Sequence, residues 1–230
     1  MELYTEKVTL PSGLECTIRE MTATEEGFLA SPKMLKSGEA FEKILRNCVV
    51  EKDVDLDNLL VGDRYYLMLA IRRLTFGDSY DFKARCGSCG HTFNVDINLA
   101  ELPVKKLDGD PDATHTITLP RTGKKVTFRL LRGRDEKKIS TTLRKNPQEI
   151  IRLSLLLHTI AVDGDENFSE KFFETLPGAD SQFYRKEIDA VTCGVDTVVE
   201  ASCPECDDEF EVQLPINEYF FFPGTRKSKS

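Results

Sequence analysis

Apolar and polar residues alternate along two pairs of short segments, and a glycine-containing turn separates the members of each pair. The first pair covers residues 8–11 and 14–19, and the second covers residues 117–120 and 124–129. A period of two places apolar side chains on one face and polar side chains on the other, as in a half-buried strand. Each pair therefore predicts a β-hairpin.

Longer segments with a helical spacing of apolar residues follow each predicted hairpin. In the clearest of them the apolar side chains that share one helix face are Leu60, Leu67, Ile71 and Leu74. Gly77 and Gly194 stand where a helix commonly ends with a positive φ. The spacing predicts helices over residues 38–50, 58–76, 135–145, 147–162, 168–176 and 180–191.

Two Cys-x-x-Cys pairs each stand between two further alternating segments. The cysteines are Cys86, Cys89, Cys203 and Cys206, and the flanking segments are residues 80–85, 92–99, 196–202 and 209–214. A strand that enters such a turn and a strand that leaves it form the hairpin of a zinc ribbon. Phe93 and Phe210 follow the two turns at the same distance, and we expect them to cover the site or the hairpin behind it.

The two halves of the chain repeat the same order of hairpin, helices, glycine, strand and cysteine turn. The shift that places Cys86 on Cys203 also superimposes Asp63 on Asp180, Ile71 on Ile188, Thr75 on Thr192 and Gly77 on Gly194. The first hairpins need a smaller shift, so the second half carries extra residues, which we predict near residues 163–167. These matches predict an internal duplication. The alternative is two unrelated segments that share only the cysteine pattern.

The predicted fold class is α+β. Two duplicated units, each with a β-hairpin, helices and a cysteine hairpin, are joined through a four-cysteine zinc ribbon. We assign residues 1–101 to the first unit and residues 112–216 to the second. Residues 217–230 form a tail that is first aromatic and then basic.

Four cysteines in two such turns are the ligand set of a closed, tetrahedral structural zinc site. We therefore predict one structural zinc ion per chain, bound by Cys86, Cys89, Cys203 and Cys206. A redox dithiol, an iron–sulfur cluster and free thiols are the alternatives, of which the first lacks the βαβ pattern expected for it. The remaining cysteines, Cys16, Cys48 and Cys193, stand among apolar neighbours and are interpreted as small buried side chains.

Charge and composition restrict the classes of partner. The formal net charge of −8 argues against non-specific binding to nucleic acid or anionic lipid. The first residues do not have the pattern of a secretory signal, and the longest apolar run, residues 153–162, is too short to span a bilayer. A soluble, intracellular protein that does not bind a membrane is expected.

The sequence offers no arrangement typical of catalysis. It has no glycine-rich phosphate loop and no Gly-x-Ser-x-Gly elbow, and neither His115 nor His158 has an acid or a nucleophile at motif spacing. We therefore predict a protein that is not an enzyme and has no small-molecule substrate.

Two other segments each have two interpretations. The consecutive aromatic residues Tyr219, Phe220, Phe221 and Phe222 either pack back onto the protein or form a docking anchor for a partner protein. The basic residues between Arg129 and Lys145 form either a solvated helix face or a contact with an acidic protein or nucleic acid.

One long segment carries a resemblance to a known family. The run Gly62-Asp-Arg-Tyr-Tyr-Leu-Met-Leu-Ala-Ile-Arg-Arg-Leu-Thr-Phe-Gly77, followed by Tyr80 and Cys86-Gly-Ser-Cys89-Gly90, resembles the baseplate proteins of contractile-tailed bacteriophages. More narrowly, it resembles the baseplate hub assembly proteins of T-even-type phages. The hairpin around Leu10-Pro11-Ser-Gly13 fits the same family, and the resemblance is best over residues 5–100.

This resemblance implies a non-enzymatic role in building the tail baseplate or its hub. The partners would be other phage tail and baseplate proteins, in the host cytoplasm during assembly and in the virion tail if the protein is retained there. A zinc-ribbon protein that binds nucleic acid or takes part in transcription is the alternative, favoured by the basic stretch and disfavoured by the net charge of −8.

Overall fold

A computed structural model describes residues 2–215 and 218–221 and shows a mixed α+β fold. The first half has two hairpins separated by four helices. Its elements are β1 (Thr5–Thr9), β2 (Glu15–Arg19), α1 (Ala23–Leu29), α2 (Pro32–Ser37), α3 (Glu39–Cys48), α4 (Val61–Phe76), β3 (Ser79–Arg85), β4 (Thr92–Asn98) and a 3-10 turn at Leu99–Glu101.

The second half also has helices between two hairpins, and it contains additional short strands. Its elements are β5 (Val104–Lys105), β6 (His115–Thr118), β7 (Lys125–Phe128), α5 (Gly133–Lys145), a 3-10 turn at Pro147–Glu149, α6 (Ile150–His158), β8 (Thr159–Val162), α7 (Lys171–Glu174), α8 (Gly178–Val191), β9 (Gly194–Val195), β10 (Val198–Ser202), β11 (Glu209–Gln213) and a 3-10 turn at Glu218–Phe221.

The sheets are small and antiparallel throughout the described residues. Strand pairs β1–β2, β3–β4, β5–β9 and β10–β11 each form a two-stranded sheet, and β6–β7–β8 form a three-stranded one. The predicted α+β class and the four predicted hairpins are thereby confirmed. The pairs β3–β4 and β10–β11 carry the Cys-x-x-Cys turns at their tips.

One predicted helix is wrong at its end. The helix predicted over residues 147–162 stops at His158, and residues 159–162 form β8 instead. This strand pairs with β7, in which Val126 lies opposite Val162. The run Thr-Ile-Ala-Val is rich in β-branched residues, which favour a strand once a neighbouring strand is available. The helix predicted over residues 168–176 is also shorter, because only Lys171–Glu174 is helical.

The helices α1 and α2 were not predicted from apolar spacing, although local signals mark both. Thr22 and Glu25 form a capping box at the start of α1. Ser31 caps α2, and Pro32 occupies its first turn. Both helices have seven residues or fewer, which is too short for an apolar period to show.

A buried aspartate braces the turn of the first hairpin in each half. In the first half Asp63, in the first turn of α4, accepts a hydrogen bond of 2.9 Å from the backbone N–H of Ser12. In the second half Asp180, in the first turn of α8, accepts bonds of 2.8 and 3.0 Å from the N–H groups of Arg121 and Thr122. Equivalent carboxylates therefore fix a helix to a hairpin turn in both halves.

A second local arrangement also occurs twice. Glu25 accepts a hydrogen bond from the backbone N–H three residues before it, and its carboxylate pairs with Arg19 at 2.9 Å. Asp135 accepts the same kind of backbone bond and pairs with Arg129 at 2.8 Å. In both cases the arginine ends the second strand of a hairpin or follows it directly, so one ion pair joins hairpin and helix.

Residues from both halves build the larger of the hydrophobic cores. It lies between the first hairpin, α3, α4 and the cysteine hairpins, and it includes Ala201, Leu214, Phe220 and Phe221 from the second half. A smaller core lies under α6 and α8, where Phe128, Leu155 and Tyr184 are buried together. The hydrophobic core of the first half is therefore completed by side chains that come much later in the sequence.

Several polar contacts fix the two halves at the start of α4. The buried Arg64 pairs with Glu136 at 2.8 Å and with Glu42 at 2.9 Å. Leu60 forms an antiparallel bridge with Arg132, and Gly62 lies against the backbone of Cys193. A Cβ atom on Gly62 would lie 2.0 Å from the carbonyl oxygen of Cys193, so only glycine fits this approach.

Replacing Gly62 with alanine is expected to destabilise the protein by about 1–3 kcal/mol, because two backbones must move apart. The matched control is Gly178→Ala at the start of α8, where a Cβ atom meets nothing within 4 Å. Urea denaturation of both variants provides the measurement. The control should lose no stability, and equal losses in the two variants would contradict the close-packing argument.

Candidate metal centre

The two Cys-x-x-Cys turns have the same backbone hydrogen bonds. In the first, Cys86 N–H donates to His91 O at 2.9 Å, and Gly90 N–H donates to Cys86 O at 3.1 Å. In the second, Cys203 N–H donates to Asp208 O at 2.9 Å, and Asp207 N–H donates to Cys203 O at 2.9 Å. The backbone closes each turn and directs both cysteines of the turn to the same side.

One position in each turn needs the left-handed conformation. Gly90 has φ of 77° and Asp207, at the corresponding position, has φ of 55°. Glycine adopts this region without cost, and aspartate is among the few other residues that occupy it readily. The same turn therefore forms from two different local sequences.

The two hairpins face each other through their apolar sides. Phe93 of β4 and Phe210 of β11 meet edge to face with ring centroids 6.2 Å apart. Val95 and Ala201 are buried in the same core. This packing brings the tips of the hairpins together, and the expected position of Phe93 and Phe210 behind the site agrees with the structure.

The four cysteine sulfurs converge where the tips meet. The Sγ atoms of Cys86, Cys89, Cys203 and Cys206 all lie within 4.8 Å of one another. Across the seam, Cys86 Sγ lies 3.7 Å from Cys206 Sγ, and Cys89 Sγ lies 3.6 Å from Cys203 Sγ. Cys86 and Cys203 are buried, whereas Cys89 and Cys206 are exposed.

These separations fit a tetrahedral ion held by thiolates. Metal–sulfur bonds of about 2.3 Å in a tetrahedron place the sulfurs about 3.8 Å apart. The cross-seam pairs lie at nearly this separation, at 3.7 and 3.6 Å. The cluster can therefore bind one metal ion with four sulfur ligands, which leaves no position for water or a substrate.

Hydrogen bonds around Cys86 favour its thiolate. The backbone N–H groups of Cys89 and Ser88 lower the pKa of the Cys86 thiol to about 7. Because a thiol must lose its proton to bind a metal, this shift favours Cys86 as a ligand near neutral pH, whereas the pKa of Cys89 is raised and that of Cys206 is raised to about 12. Asp208 was not predicted as part of the site, but its carboxylate accepts a bond of 2.8 Å from Ser88 Oγ across the seam.

His91 lies beside the first turn and outside the group of sulfur ligands. Its ring stacks on Phe93, with centroids 6.2 Å apart and planes 10° apart. The side chain is exposed. His91 is therefore not among the clustered side chains that could hold a metal ion.

The first half of the chain matches a known protein family. A family model described as T4 bacteriophage base plate protein matches residues 1–117. The chain belongs to this family. No curated protein and no solved structure matches it.

The matched region has a clear place in the fold of this baseplate-family protein. It contains the first hairpin, all four helices of the first half and the hairpin that carries Cys86 and Cys89. The resemblance seen in the sequence, best over residues 5–100, is thereby confirmed. The hairpin of Cys203 and Cys206 lies beyond the match.

The three other cysteines are buried in apolar surroundings. Burial raises the pKa of Cys16 and Cys193 to about 11 and that of Cys48 to about 12. Thiols with such pKa values are protonated at neutral pH and behave as small apolar side chains. The interpretation given from the sequence is confirmed.

Two of the C-terminal aromatic side chains are packed inside the protein. Phe220 lies edge to face with Tyr80 at 5.2 Å, and Phe221 lies 5.9 Å from Phe41. Both side chains are fully buried. This corresponds to the first of the two interpretations, in which the aromatic residues pack back onto the protein.

Phe222 and the side chain of Tyr219 lie outside the described part of the chain. Partner binding by Tyr219 and Phe222 stays a prediction.

A buried arginine holds the C-terminal turn in place. The guanidinium of Arg72 is fully buried and donates to the carbonyl oxygens of Gly77, Ser79 and Phe220. It also lies 5.7 Å from the ring centroids of Tyr80 and Phe220. Burial lowers the pKa of Arg72, and the carbonyls and ring faces compensate for the lost hydration.

Several basic residues between Arg129 and Lys145 form ion pairs within the protein. Arg129 pairs with Asp135, the buried Arg132 pairs with Asp112, and Lys137 pairs with Asp57. Arg134 and Lys138 are exposed. These ion pairs neutralise positive charges that, from the sequence alone, were candidates for contact with nucleic acid.

No helix among the described residues is both long enough and apolar enough to cross a membrane.

Replacing Phe220 with alanine is expected to destabilise the protein by about 3–5 kcal/mol, because it empties a fully buried ring position. Thermal and urea denaturation measure the loss. Tyr4→Ala is the control, since Tyr4 is an aromatic residue with 75% of its surface exposed. Unchanged stability of Phe220→Ala would favour the docking interpretation of this segment instead.

Metal content gives the direct test of the cysteine cluster. The purified chain is expected to contain one metal ion, and Cys203→Ser is expected to lose it together with thermal stability. Cys193→Ser is the matched control, because Cys193 is equally buried but is not among the four clustered cysteines. Elemental analysis checks both variants, and a Cys203→Ser protein that keeps its metal would contradict a shared site.

Proposed function

We propose that this protein is a non-enzymatic component of the phage tail baseplate, acting in assembly of the baseplate or its hub by binding other tail proteins. The observation that carries the proposal is the match of residues 1–117 to the T4 baseplate protein family. The fold supports a binding role, since the one cluster of metal-binding side chains found in the described residues has four sulfur ligands and no open position.

The metal in this proposal is zinc, one ion per chain. Four thiolates at tetrahedral separations suit zinc, and zinc with four cysteines is a structural rather than a catalytic site. Cys86 and Cys89 come from one half, and Cys203 and Cys206 come from the other. The ion would therefore hold the two halves together, and the metal analysis above should identify it as zinc.

The proposal includes the internal duplication, with units at residues 1–101 and 112–216. Three arrangements that recur at equivalent positions support it. They are the aspartate that braces a hairpin turn, the arginine–carboxylate pair at a helix start and the hydrogen bonds of the cysteine turn. The connection from α6 to α8, which holds α7 and a turn at Asp163, accounts for the extra residues of the second unit.

The expected partners are other proteins of the tail and baseplate. The protein is expected in the host cytoplasm during assembly and in the baseplate of the virion tail. A zinc-ribbon protein that binds nucleic acid remains the second candidate. The ion pairs of Arg129, Arg132 and Lys137 within the chain, together with the net charge of −8, favour the baseplate proposal over it.

Affinity capture tests the proposal. The full chain is immobilised and presented with the separately purified tail and baseplate proteins of the same phage. Capture of at least one of them is expected, and an unrelated acidic protein of similar size is the control. Capture of none, by protein shown to be folded and loaded with zinc, would refute the proposal. Salt-dependent retention of DNA or RNA would support the second candidate.

A further inference from the structure

The thiols of the cluster form two pairs across the seam, and each pair combines an exposed sulfur with a buried one. Exposed Cys206 lies 3.7 Å from buried Cys86, and exposed Cys89 lies 3.6 Å from buried Cys203. An oxidant in solution reaches the exposed sulfur first. A partner within 3.7 Å of that sulfur belongs to the opposite half of the chain.

We infer that the cluster is also a site of oxidative modification, at which peroxide replaces the metal link by two disulfides, Cys86–Cys206 and Cys89–Cys203. The inference rests on the metal link described under the proposed function. Both forms of the site join the same two halves, one through an ion and the other through covalent bonds.

The chemistry needs only a peroxide as the oxidant. The Cys206 thiolate attacks one peroxide oxygen, so an S–O bond forms, the O–O bond breaks and hydroxide leaves. The Cys86 thiolate then attacks the Cys206 sulfur, so the S–S bond forms, the S–O bond breaks and a second hydroxide leaves. Two thiolates thus give two electrons to one peroxide, and Cys89 with Cys203 consumes a second peroxide in the same way.

The loss of thiolate ligands releases the metal as a divalent cation. Metal ions bind the thiolate form of cysteine, and the sulfur of a disulfide is a far poorer ligand. Metal release and disulfide formation should therefore occur together and at the same peroxide dose.

Pairing across the seam is favoured over pairing within each turn. Backbone hydrogen bonds close the turns at Cys86 and Cys203, and in this arrangement the sulfurs already lie 3.7 and 3.6 Å apart across the seam. A disulfide across the seam also closes a long loop, whereas one within a turn closes a loop of a few residues. Longer loops restrict the unfolded chain more, so the pairing across the seam stabilises the folded protein more.

The test maps disulfides in the full-length, zinc-loaded protein after graded treatment with hydrogen peroxide. Free thiols are blocked, the protein is digested without reduction, and cross-linked peptides are identified by mass spectrometry. Peptides that join Cys86 to Cys206 and Cys89 to Cys203 are expected, with release of one zinc ion per chain. Peptides that join Cys86 to Cys89 and Cys203 to Cys206, or sulfinic acids at Cys89 and Cys206, would overturn the inference.

A stability measurement tests the same point independently. The oxidised protein is expected to melt about 4 °C or more above the reduced, metal-free protein, because the halves are again linked. An oxidised protein that melts at or below the temperature of the reduced form would contradict a bond across the seam.

A cysteine variant provides the control. Cys206→Ser should form the Cys89–Cys203 disulfide and leave Cys86 reduced, since the buried Cys86 has lost its partner. A Cys86–Cys89 disulfide in this variant would argue against the pairing inferred from the distances.

Failure of this inference can be told apart from failure of the proposed function. Zinc content and capture of baseplate proteins are measured on the same untreated preparation. Normal zinc and normal capture with the wrong disulfides would reject only the inference. Correct disulfides without capture of any baseplate protein would reject only the proposed function.

Discussion

The structure depends on one constraint, which is that the two cysteine hairpins meet at their tips. Each hairpin is a two-stranded sheet, and such a sheet is at best marginally stable alone in water. Packing Phe93 on Phe210 buries one face of both sheets and places the four sulfurs within one coordination sphere. Apolar packing and a metal ion bound by the four sulfurs would therefore stabilise the same contact, and each would make the other more favourable.

Buried arginines play a comparable role at other contacts between distant segments. Arg64 and Arg132 join α4 and its preceding loop to the start of α5, and Arg72 joins α4 to the turn at Glu218–Phe221. A buried guanidinium is costly unless most of its N–H groups have acceptors. The acceptors here come from segments remote in sequence, so each arginine favours one mutual arrangement of those segments.

The sequence was sufficient to predict elements whose signal is local. The alternating hairpins, the long helix α4 and the two Cys-x-x-Cys turns are all encoded by residue spacing within short windows. The convergence of Cys86 and Cys89 with Cys203 and Cys206 was predictable because tetrahedral thiolate sites need four ligands. The strand β8 was not predictable, because Thr159–Val162 becomes a strand only when the edge of β7 is beside it.

The burial of Phe220 and Phe221 was not predictable for a related reason. A run of aromatic residues has the same pattern whether it fills a groove or faces a partner. Only the position of Tyr80, Phe41 and Arg72 in the folded chain shows which groove is available. Contacts such as that of Asp208 with Ser88 likewise have no signal in sequence spacing, since their partners lie in different halves.

The shared core determines the order in which this protein can mature. Ala201, Leu214 and Phe220 complete a core whose other side chains begin at Val8, so the first half leaves the ribosome with an unfinished interior. Contacts over such sequence separations form late and slow the folding of a domain. A chain that stops before residue 220 would lack the ring that packs on Tyr80 and the carbonyl that accepts from Arg72. Only a chain synthesised through Phe221 can close this core, so the first half stays an incomplete folding unit until translation has passed residue 221.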